Sequence, residues 1–185
     1  MGNEFVTIAV KNMVCPRCIL AVENGLKAIK CEFDEVKLGS VKVSKYFSIP
    51  KIEEMLLGLG FEILTNHDQK LVESIKSKLI ELLQLSEELK NNKLSVWLSN
   101  KLNKDYHQLS YLFSEIEGVT IERYFIKLRI EKVKEFLVYN ELNLKEIAYQ
   151  LGFSSTAHLS AQFKKETGFT TSHYKDFIKV SFFKK

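Results

Sequence analysis

The sequence predicts an α+β fold, in which a small β-α-β-β-α-β domain over residues 1–66 precedes an all-α domain over residues 67–185. Three observations support this prediction. Strand-like and helical runs alternate in the first third of the chain, and strand-like runs are absent beyond His67. Residues 94–124 also repeat at 144–174 with a constant offset of 50 and no gap, which indicates a duplicated helical unit.

The first domain is predicted from turn and breaker residues that separate short periodic runs. Pro16 suits the first turn of a helix, Gly39-Ser40 separates two hairpin strands, and Gly58 and Gly60 stop a second helix. The predicted elements are a strand at 5–10, a helix at 16–26, strands at 35–38 and 41–44, a helix after residue 50, and a strand at 61–64. This order is the ferredoxin-like pattern.

The second domain begins near Thr65–Asp68. Residues 68–90 form one amphipathic helical segment, which Asn91-Asn92 interrupts. Each copy of the repeat predicts a helix, a tight turn, a second helix, a Gly stop and an aromatic anchor. Because a helical solenoid needs about three or more copies, two copies joined by a helix at roughly 121–139 indicate a two-lobed domain. The two helix-turn-helix units lie at about 94–118 and 144–168.

The second copy has the clearer turn chemistry. Gly152 permits a left-handed turn between the helices, and Ser154 or Ser155 can cap the second helix. Apolar residues at helical spacing predict the buried face. They are Ile147, Ala148, Leu151, Leu159 and Phe163.

The second copy resembles the AraC family of transcription regulators. The resemblance covers roughly residues 70–180 when the first copy is included. The matching residues are Glu146-Ile147-Ala148, Gly152-Phe153-Ser154-Ser155, His158-Leu159-Ser160, Phe163–Thr170 and Tyr174-Lys175. The resemblance implies two helix-turn-helix units on a linking helix, with each recognition helix in a major groove of double-stranded DNA. It therefore also implies a sequence-specific transcription regulator.

The resemblance also implies which side chains face the groove. In the second unit these are Thr156, Ala157, Ser160, Ala161 and Lys164, with Lys165 beside them; in the first they are Tyr106, His107, Ser110, Tyr111 and Ser114. Family members often place a guanine-reading arginine where Ala161 and Tyr111 stand. Glu115 and Glu117 replace Lys165 and Thr167, and acidic side chains beside phosphates are unfavourable. We therefore expect the second unit to bind DNA, and the first to bind weakly or to serve as scaffold; the alternative is that these side chains only cover helix surface.

The charge distribution agrees with a polyanion partner near the C-terminus. The formal net charge is +4, and residues 145–185 contain seven lysines and three acidic residues. The first 144 residues are balanced. A basic excess at one end favours nucleic acid as a partner, although a solvated surface would have the same composition.

A cysteine motif follows the first predicted strand. Met13, Cys15 and Cys18 resemble the M-x-C-x-x-C loop of heavy-metal-associated domains, over about residues 4–65. Two thiolates on one turn can converge on a soft ion, so Cu(I) or Zn(II) at Cys15 and Cys18 is the expected cofactor. We expect Met13 to be a hydrophobic plug or a weak third ligand, and Arg17 to point to solvent. The whole chain resembles a group from Bacteroidota that joins such a domain to an AraC-type domain.

Other interpretations of the first domain remain open. C-P-x-C also resembles glutaredoxin sites, but that fold needs more residues and a cis-proline loop, and Pro50 starts the second helix. Alternatively, the cysteines bind nothing and the sheet mediates homodimerisation. Cys31 has no partner at motif spacing, so we expect it to be buried. The signal could thus be a metal ion, a redox change or a protein partner, and the runner-up function is metal handling with a helical protein-interaction module.

Several classes are not expected. The sequence has no Gly-rich phosphate loop, H-E-x-x-H motif or nucleophile elbow, so no enzyme is predicted. The N-terminal residues lack the pattern of a secretory signal, and no apolar run approaches the ~18 residues that span a membrane. We therefore expect a cytoplasmic protein without a membrane partner.

Overall fold

The computed structural model describes residues 4–139 and 142–182, and the backbone alone of Lys90 and of residues 178–182. Residues 1–3, which belong to the N-terminus assessed for a secretory signal, lie outside this range. The chain divides into two compact units. One comprises Met1–Ile80 with Leu98–Gly118, and the other comprises Glu81–Trp97 with Val119–Lys185. The predicted boundary at residues 66 and 67 falls between the last strand and the helix that follows it.

The first unit contains an antiparallel sheet of four strands in the order β2-β3-β1-β4. Ile8 pairs with Val41 across the central strands. The strands and their two helices are β1 (Phe5–Lys11), α1 (Pro16–Ala28), β2 (Phe33–Lys37), β3 (Ser40–Ser44), α2 (Ile49–Gly58) and β4 (Glu62–Leu64). Each element predicted over residues 1–66 is present, with ends that differ by a few residues.

One face of the sheet packs against α1 and α2. Alternate residues of β1 and β3 point to this face, as the two-residue period of a strand requires. Val10, Val43, Leu26 and Ile52 have no solvent exposure, and Cys31 is buried with them. Gly39 forms the hairpin turn with φ +79, and its carbonyl accepts from the Val10 N–H at 2.9 Å.

Eight helices follow β4 in the described part of the chain. They are α3 (His67–Leu82), α4 (Ser86–Asn91), α5 (Leu94–Leu102), α6 (Tyr106–Glu117), α7 (Ile121–Tyr139), α8 (Leu144–Gln150), α9 (Thr156–Thr167) and α10 (Thr171–Phe182). In the second compact unit, α7, α8 and α9 enclose one apolar core. The core residues are Ile130, Val133, Leu137, Ile147, Ala148, Leu151, Phe153, Leu159 and Phe163.

The single helix predicted over 68–90 is wrong. The chain leaves the helix after Leu82, where the N–H groups of Gln84 and Leu85 donate to carbonyls three residues earlier. Leu85 adopts φ −109 and ψ 71, outside the helical region. The apolar spacing continues across this bend without a glycine or proline, so periodicity alone does not reveal it.

Candidate nucleic-acid interface

The turn between α8 and α9 is built around Gly152. Its φ of +65 confirms the predicted left-handed turn. The N–H of Phe153 donates to the Ala148 carbonyl at 2.9 Å and closes the end of α8. A Cβ at position 152 would lie 3.2 Å from the Leu89 Cβ, so both backbone conformation and packing favour glycine.

Helix α9 begins with a side-chain cap. The Ser155 hydroxyl accepts from the His158 N–H at 3.0 Å, so Ser155 is the cap of the two serines considered. The Ser154 hydroxyl and the His158 Nδ1 are 3.0 Å apart, and the His158 ring contacts the Phe153 ring edge-on. These contacts fix the first turn of α9.

In the first helix-turn-helix unit, different residues make the turn between α5 and α6. Asn103 has φ +51, and the Lys104 N–H donates to the Ser99 carbonyl at 3.2 Å. Asp105 caps α6 by accepting from the N–H of His107 at 2.9 Å. The left-handed residue is thus Asn103, whereas the offset of 50 aligns Leu102 with Gly152. The ungapped repeat conceals this one-residue shift because α6 and α9 still begin fifty residues apart.

Helices α6 and α9 bury the same positions. Leu109 and Phe113 in α6, and Leu159 and Phe163 in α9, are fully buried. The predicted groove-facing positions lie on the opposite, half-buried or exposed side. They are Tyr106, His107, Ser110, Tyr111 and Ser114 in α6, and Thr156, Ala157, Ser160, Ala161 and Lys164 in α9. The structure therefore brings each predicted set onto one accessible helix face.

The accessible faces differ in chemistry. Lys164 and Lys165 are exposed on α9, so this helix presents two cations. On α6, Tyr111 is 71% exposed and Glu115 is exposed. His107, Ser110, Tyr111, Ser114 and Glu115 line an open depression of about 540 Å³ on α6. The outer face of α6 offers aromatic and hydrogen-bonding contacts. The outer face of α9 offers positive charge that suits phosphate.

The acidic residues at the helix ends are held by ion pairs. Glu117 of α6 lies 2.7 Å from the Nζ of Lys76 in α3, which also contacts Glu73 at 2.9 Å. Burial lowers the pKa of Lys76, but these two carboxylates raise it by more, so the net pKa is above its ordinary value. Glu117 therefore does not present the unpaired charge that its position in the sequence suggests. In α9, Glu166 pairs with Arg123 of α7 at 2.5 Å.

The cysteine loop lies at the start of α1, in the first compact unit. Cys15 is the N-cap residue and Pro16 opens the helix, as predicted. The two Sγ atoms of Cys15 and Cys18 are 3.4 Å apart, and both are free thiols. Burial raises the pKa of the Cys15 thiol, but hydrogen bonds from the Cys18 thiol and from the backbone of Cys18 and Arg17 lower it below its usual value. At this separation the two sulfur atoms lie on the same side of the turn.

Neighbouring residues narrow the donor set. Met13 is 2% exposed and belongs to the apolar core. Arg17 is exposed, as expected. Cys31 is buried, and burial together with the charge of Glu32 raises its thiol pKa. Within residues 4–139 and 142–182, no group of three His, Cys, Asp or Glu side chains is positioned to hold a metal ion.

No helix in the described ranges combines the length and apolarity that crossing a membrane requires.

Residues 98–176 match the family model described as "Helix-turn-helix domain". Among curated proteins, the HTH-type transcriptional activator RhaS of Escherichia coli O139:H28 is 41% identical over 49 residues, which are 26% of this chain and 18% of the relative. The chain thus spans less than a fifth of the length of the curated relatives it matches.

Two solved structures are similar to part of this chain. The C-terminal domain of AraT, a response regulator from Geobacillus stearothermophilus, has a TM-score of 0.51 and 22% identity, covering 60% of this chain and 88% of that one. This similarity concerns the fold. The C-terminal domain of the two-component response regulator yesN from Fusobacterium nucleatum is 31% identical, with a TM-score of 0.47, covering 55% of this chain and 98% of that one.

Proposed function

We propose that this chain, which carries an AraC-type helix-turn-helix domain, is a sequence-specific DNA-binding transcription regulator. The observation that carries the proposal is the accessible face of α9. Ser155 caps the helix and Gly152 sets its direction, while Leu159 and Phe163 fix its inner side. A rigid helix with short polar side chains and lysines outward suits insertion into a major groove.

The side chains of this face would contact different parts of the DNA. Lys164 and Lys165 supply phosphate contacts, which position the helix and make binding depend on salt. Ser160 and Thr156 can hydrogen-bond to base edges, and Ala157 and Ala161 can contact the methyl group of thymine. Without a bidentate arginine on this face, we infer a preference for sites containing A·T pairs.

A selection experiment tests the proposal. The full chain is equilibrated with a pool of randomised duplexes in low salt, and the bound duplexes are sequenced over successive rounds. We expect an enriched motif, and a changed motif for Ser160→Ala. Enrichment no better than that given by the double variant Lys164→Ala, Lys165→Ala would contradict the assignment of α9 as a recognition helix.

We further propose that the β1-to-β4 segment is a ferredoxin-like, heavy-metal-associated-like domain that binds Cu(I) through Cys15 and Cys18. The strand order and the position of the two thiols at the start of α1 support this proposal. Cu(I) accepts two thiolate ligands, whereas Zn(II) usually takes four. Two sulfur donors with Met13 buried in the core therefore fit Cu(I) better than Zn(II).

Titration of the reduced protein with Cu(I), and separately with Zn(II), against a competing chelator tests the metal proposal. We expect one equivalent of Cu(I) per chain, lost in Cys15→Ser and in Cys18→Ser and retained in Cys31→Ser as the matched control. Equal affinity of the wild type and the double Cys→Ser variant would overturn it. Disulfide formation between the same thiols, measured in the absence of metal, would instead identify a redox signal.

The surface of α6 favours a second candidate function, in which the first helix-turn-helix unit binds another protein. Tyr111 and Ile116 are exposed apolar side chains on a helix whose outer face also carries Glu115. Exposed aromatic side chains are common in protein interfaces, and acidic ones oppose phosphate. If Tyr111→Ala leaves duplex affinity unchanged, the first unit contributes no DNA contact at its centre.

A further inference from the structure

His158 lies in the first turn of α9, and its exposed side chain is held by two neighbours. The Ser154 Oγ and the His158 Nδ1 are 3.0 Å apart. The His158 ring is also nearly perpendicular to the Phe153 ring, at 84°, with the ring centroids 5.5 Å apart. The backbone N–H of the same residue donates to the Ser155 cap. This surface histidine therefore has a preferred ring orientation, whereas a fully solvated side chain samples several rotamers.

The Phe153 ring that His158 contacts is itself held by α7. Phe153 is 8% exposed and belongs to the apolar core of the second compact unit. The guanidinium carbon of Arg129 lies 3.7 Å from the centroid of the Phe153 ring, in a cation–π contact. The Nε and Nη2 atoms of Arg129 are inaccessible to solvent. Because this stack is buried, Phe153 has little freedom to move and gives the His158 ring a rigid support.

The Nε2 atom of His158 has no hydrogen-bond partner among the described residues, whereas Nδ1 is engaged by Ser154. When the Ser154 hydroxyl donates to Nδ1, the neutral imidazole carries its proton on Nε2. The protonated ring also carries a proton there. In both forms His158 presents one N–H donor, and its direction is set by the contacts with Ser154 and Phe153.

His158 and Lys165 lie on the same flank of α9. Lys165 follows by seven residues, which is about two helical turns or about 10 Å along the helix axis. This flank lies beside the groove-facing Ala161 and away from the buried Phe163, and the Lys165 side chain is exposed. When a helix enters a major groove, side chains on its flanks lie closest to the phosphates that border the groove.

We propose that His158 is a DNA-contacting residue whose Nε2–H donates to a phosphate oxygen at the edge of the major groove. This inference rests on the proposed function, because it requires α9 to lie in the groove. Ser154 and Phe153 are positioning residues that act through the His158 ring. A hydrogen bond to a charged phosphate oxygen is stronger than one to a neutral acceptor. The contact fixes the position of α9 on the duplex and is independent of base sequence.

The first helix-turn-helix unit has different residues at the positions of this pair. At the offset of 50, Gln108 corresponds to His158, and Lys104 corresponds to Ser154. Gln108 is exposed in the first turn of α6, and it has no aromatic ring for a neighbour to orient. The proposal therefore assigns this phosphate contact to α9 alone, and Gln108 provides a matched control position.

Duplex affinity of the full-length His158→Phe variant tests the proposal. Phenylalanine keeps a ring beside Phe153 and removes the Nε2 donor. The probe is a labelled pool of bacterial genomic duplexes in low salt. We expect affinity about tenfold weaker than the wild type, and partial recovery in His158→Gln, whose side-chain amide retains an N–H donor. The matched control Gln108→Phe should bind as tightly as the wild type.

A second measurement separates a lost phosphate contact from a change in the fold of α9. A duplex enriched by selection is prepared with single methylphosphonate linkages, each of which removes the charge of one phosphate. The wild type should lose affinity at one linkage where His158→Phe loses none. Ser154→Ala retains the donor but frees the ring, so it should bind the unmodified duplex about threefold more weakly.

Three results would overturn the proposal. If the wild type binds the pool and His158→Phe binds it equally well, the inference fails and the proposed function stands. If both proteins lose the same affinity at every modified linkage, the effect of His158→Phe is structural. If the wild type does not bind duplexes, the inference and the proposed function fail together.

Discussion

Helices α6 and α9 have the same length, begin fifty residues apart and bury the same two apolar positions, yet their outer faces carry different chemistry. Helix α9 presents Lys164 where α6 has Ser114, and Ala161 where α6 has the exposed Tyr111. The buried positions of the repeat set the helix-turn-helix geometry, whereas its exposed positions determine what each helix can bind. The duplication therefore supports a common fold without requiring a common function.

The ends of the two helices extend the comparison. Each helix has an acidic residue near its C-terminal end that pairs with a cation from another helix: Glu117 with Lys76 of α3, and Glu166 with Arg123 of α7. Glu117 and Glu166 are not equivalent positions in the repeat. The same requirement, to compensate a half-buried carboxylate, has thus been met by different residues in the two copies.

Replacing the turn glycine should give the largest effect on stability. Gly152→Val places a β-branched side chain at φ +65 and against Leu89, so we expect a loss of about 3 kcal/mol, measured by urea unfolding. The matched control is Gly168→Val, at φ +80 with open space around its Cβ, which should cost about 1.5 kcal/mol. Equal losses for the two variants would show that the contact with Leu89 contributes nothing.

In the first helix-turn-helix unit, Asn103→Gly should leave the free energy of unfolding unchanged or raise it, since Asn103 holds the left-handed position.

Lys76→Met tests the ion pairs at the end of α6. The variant leaves Glu73 and Glu117 without their common cation, so we expect a loss of about 2 kcal/mol at neutral pH, measured by urea unfolding. Because the pKa of Lys76 is raised on folding, this stabilisation is present below the unfolded pKa and fades as pH rises through the folded one. Arg123→Met should cost less, about 1 kcal/mol, because Gln162 still donates to Glu166. A larger loss for Arg123→Met would reverse this ranking of the two helix ends.

Lys164→Ala and Ser114→Ala test the charge difference between the outer faces. Lys164→Ala should weaken binding on every duplex and reduce the slope of log K against log salt by about 0.9, the loss of one phosphate contact. Ser114→Ala, at the equivalent position of α6, should leave the slope unchanged. The measurement is a salt series of fluorescence anisotropy titrations. A smaller slope for both variants would mean that α6 and α9 contribute equally.

Ser160→Ala and Ser110→Ala should have the smallest effects. Loss of one base-edge hydrogen bond at Ser160 should change the discrimination between duplexes by about 1 kcal/mol. Ser110→Ala should not alter the order of preferred sequences. Competition between a selected duplex and single-base variants measures this difference. An altered preference for Ser110→Ala alone would assign sequence recognition to the first unit.

Several parts of the fold could be predicted from the sequence because they depend on local chemistry. Gly152, Pro16 and Gly39 mark turns or helix starts that few other residues allow. Apolar spacing predicted that Leu159 and Phe163 are in the core. The groove-facing positions came from the family resemblance, and they lie on the opposite side of the helix.

Other features depend on contacts between distant residues. The bend after Leu82 interrupts a continuous apolar pattern, and the left-handed Asn103 is one residue out of register with Gly152. The pairing of Lys76 with Glu117 requires α3 to lie beside α6. The burial of Arg129 requires the turn that carries Phe153 to lie beside α7. No local pattern distinguishes these charged residues from solvated ones on an amphipathic helix.

We propose that α9 binds duplex DNA through both its charge and its sequence-reading side chains. The most direct measurement is the affinity of the full chain for a labelled pool of bacterial genomic duplexes, titrated from about 50 mM to 200 mM salt. We expect binding at low salt, with log K falling linearly against log salt. The slope for the double variant Lys164→Ala, Lys165→Ala should be smaller by nearly two phosphate contacts. No measurable binding to the pool at low salt would contradict it.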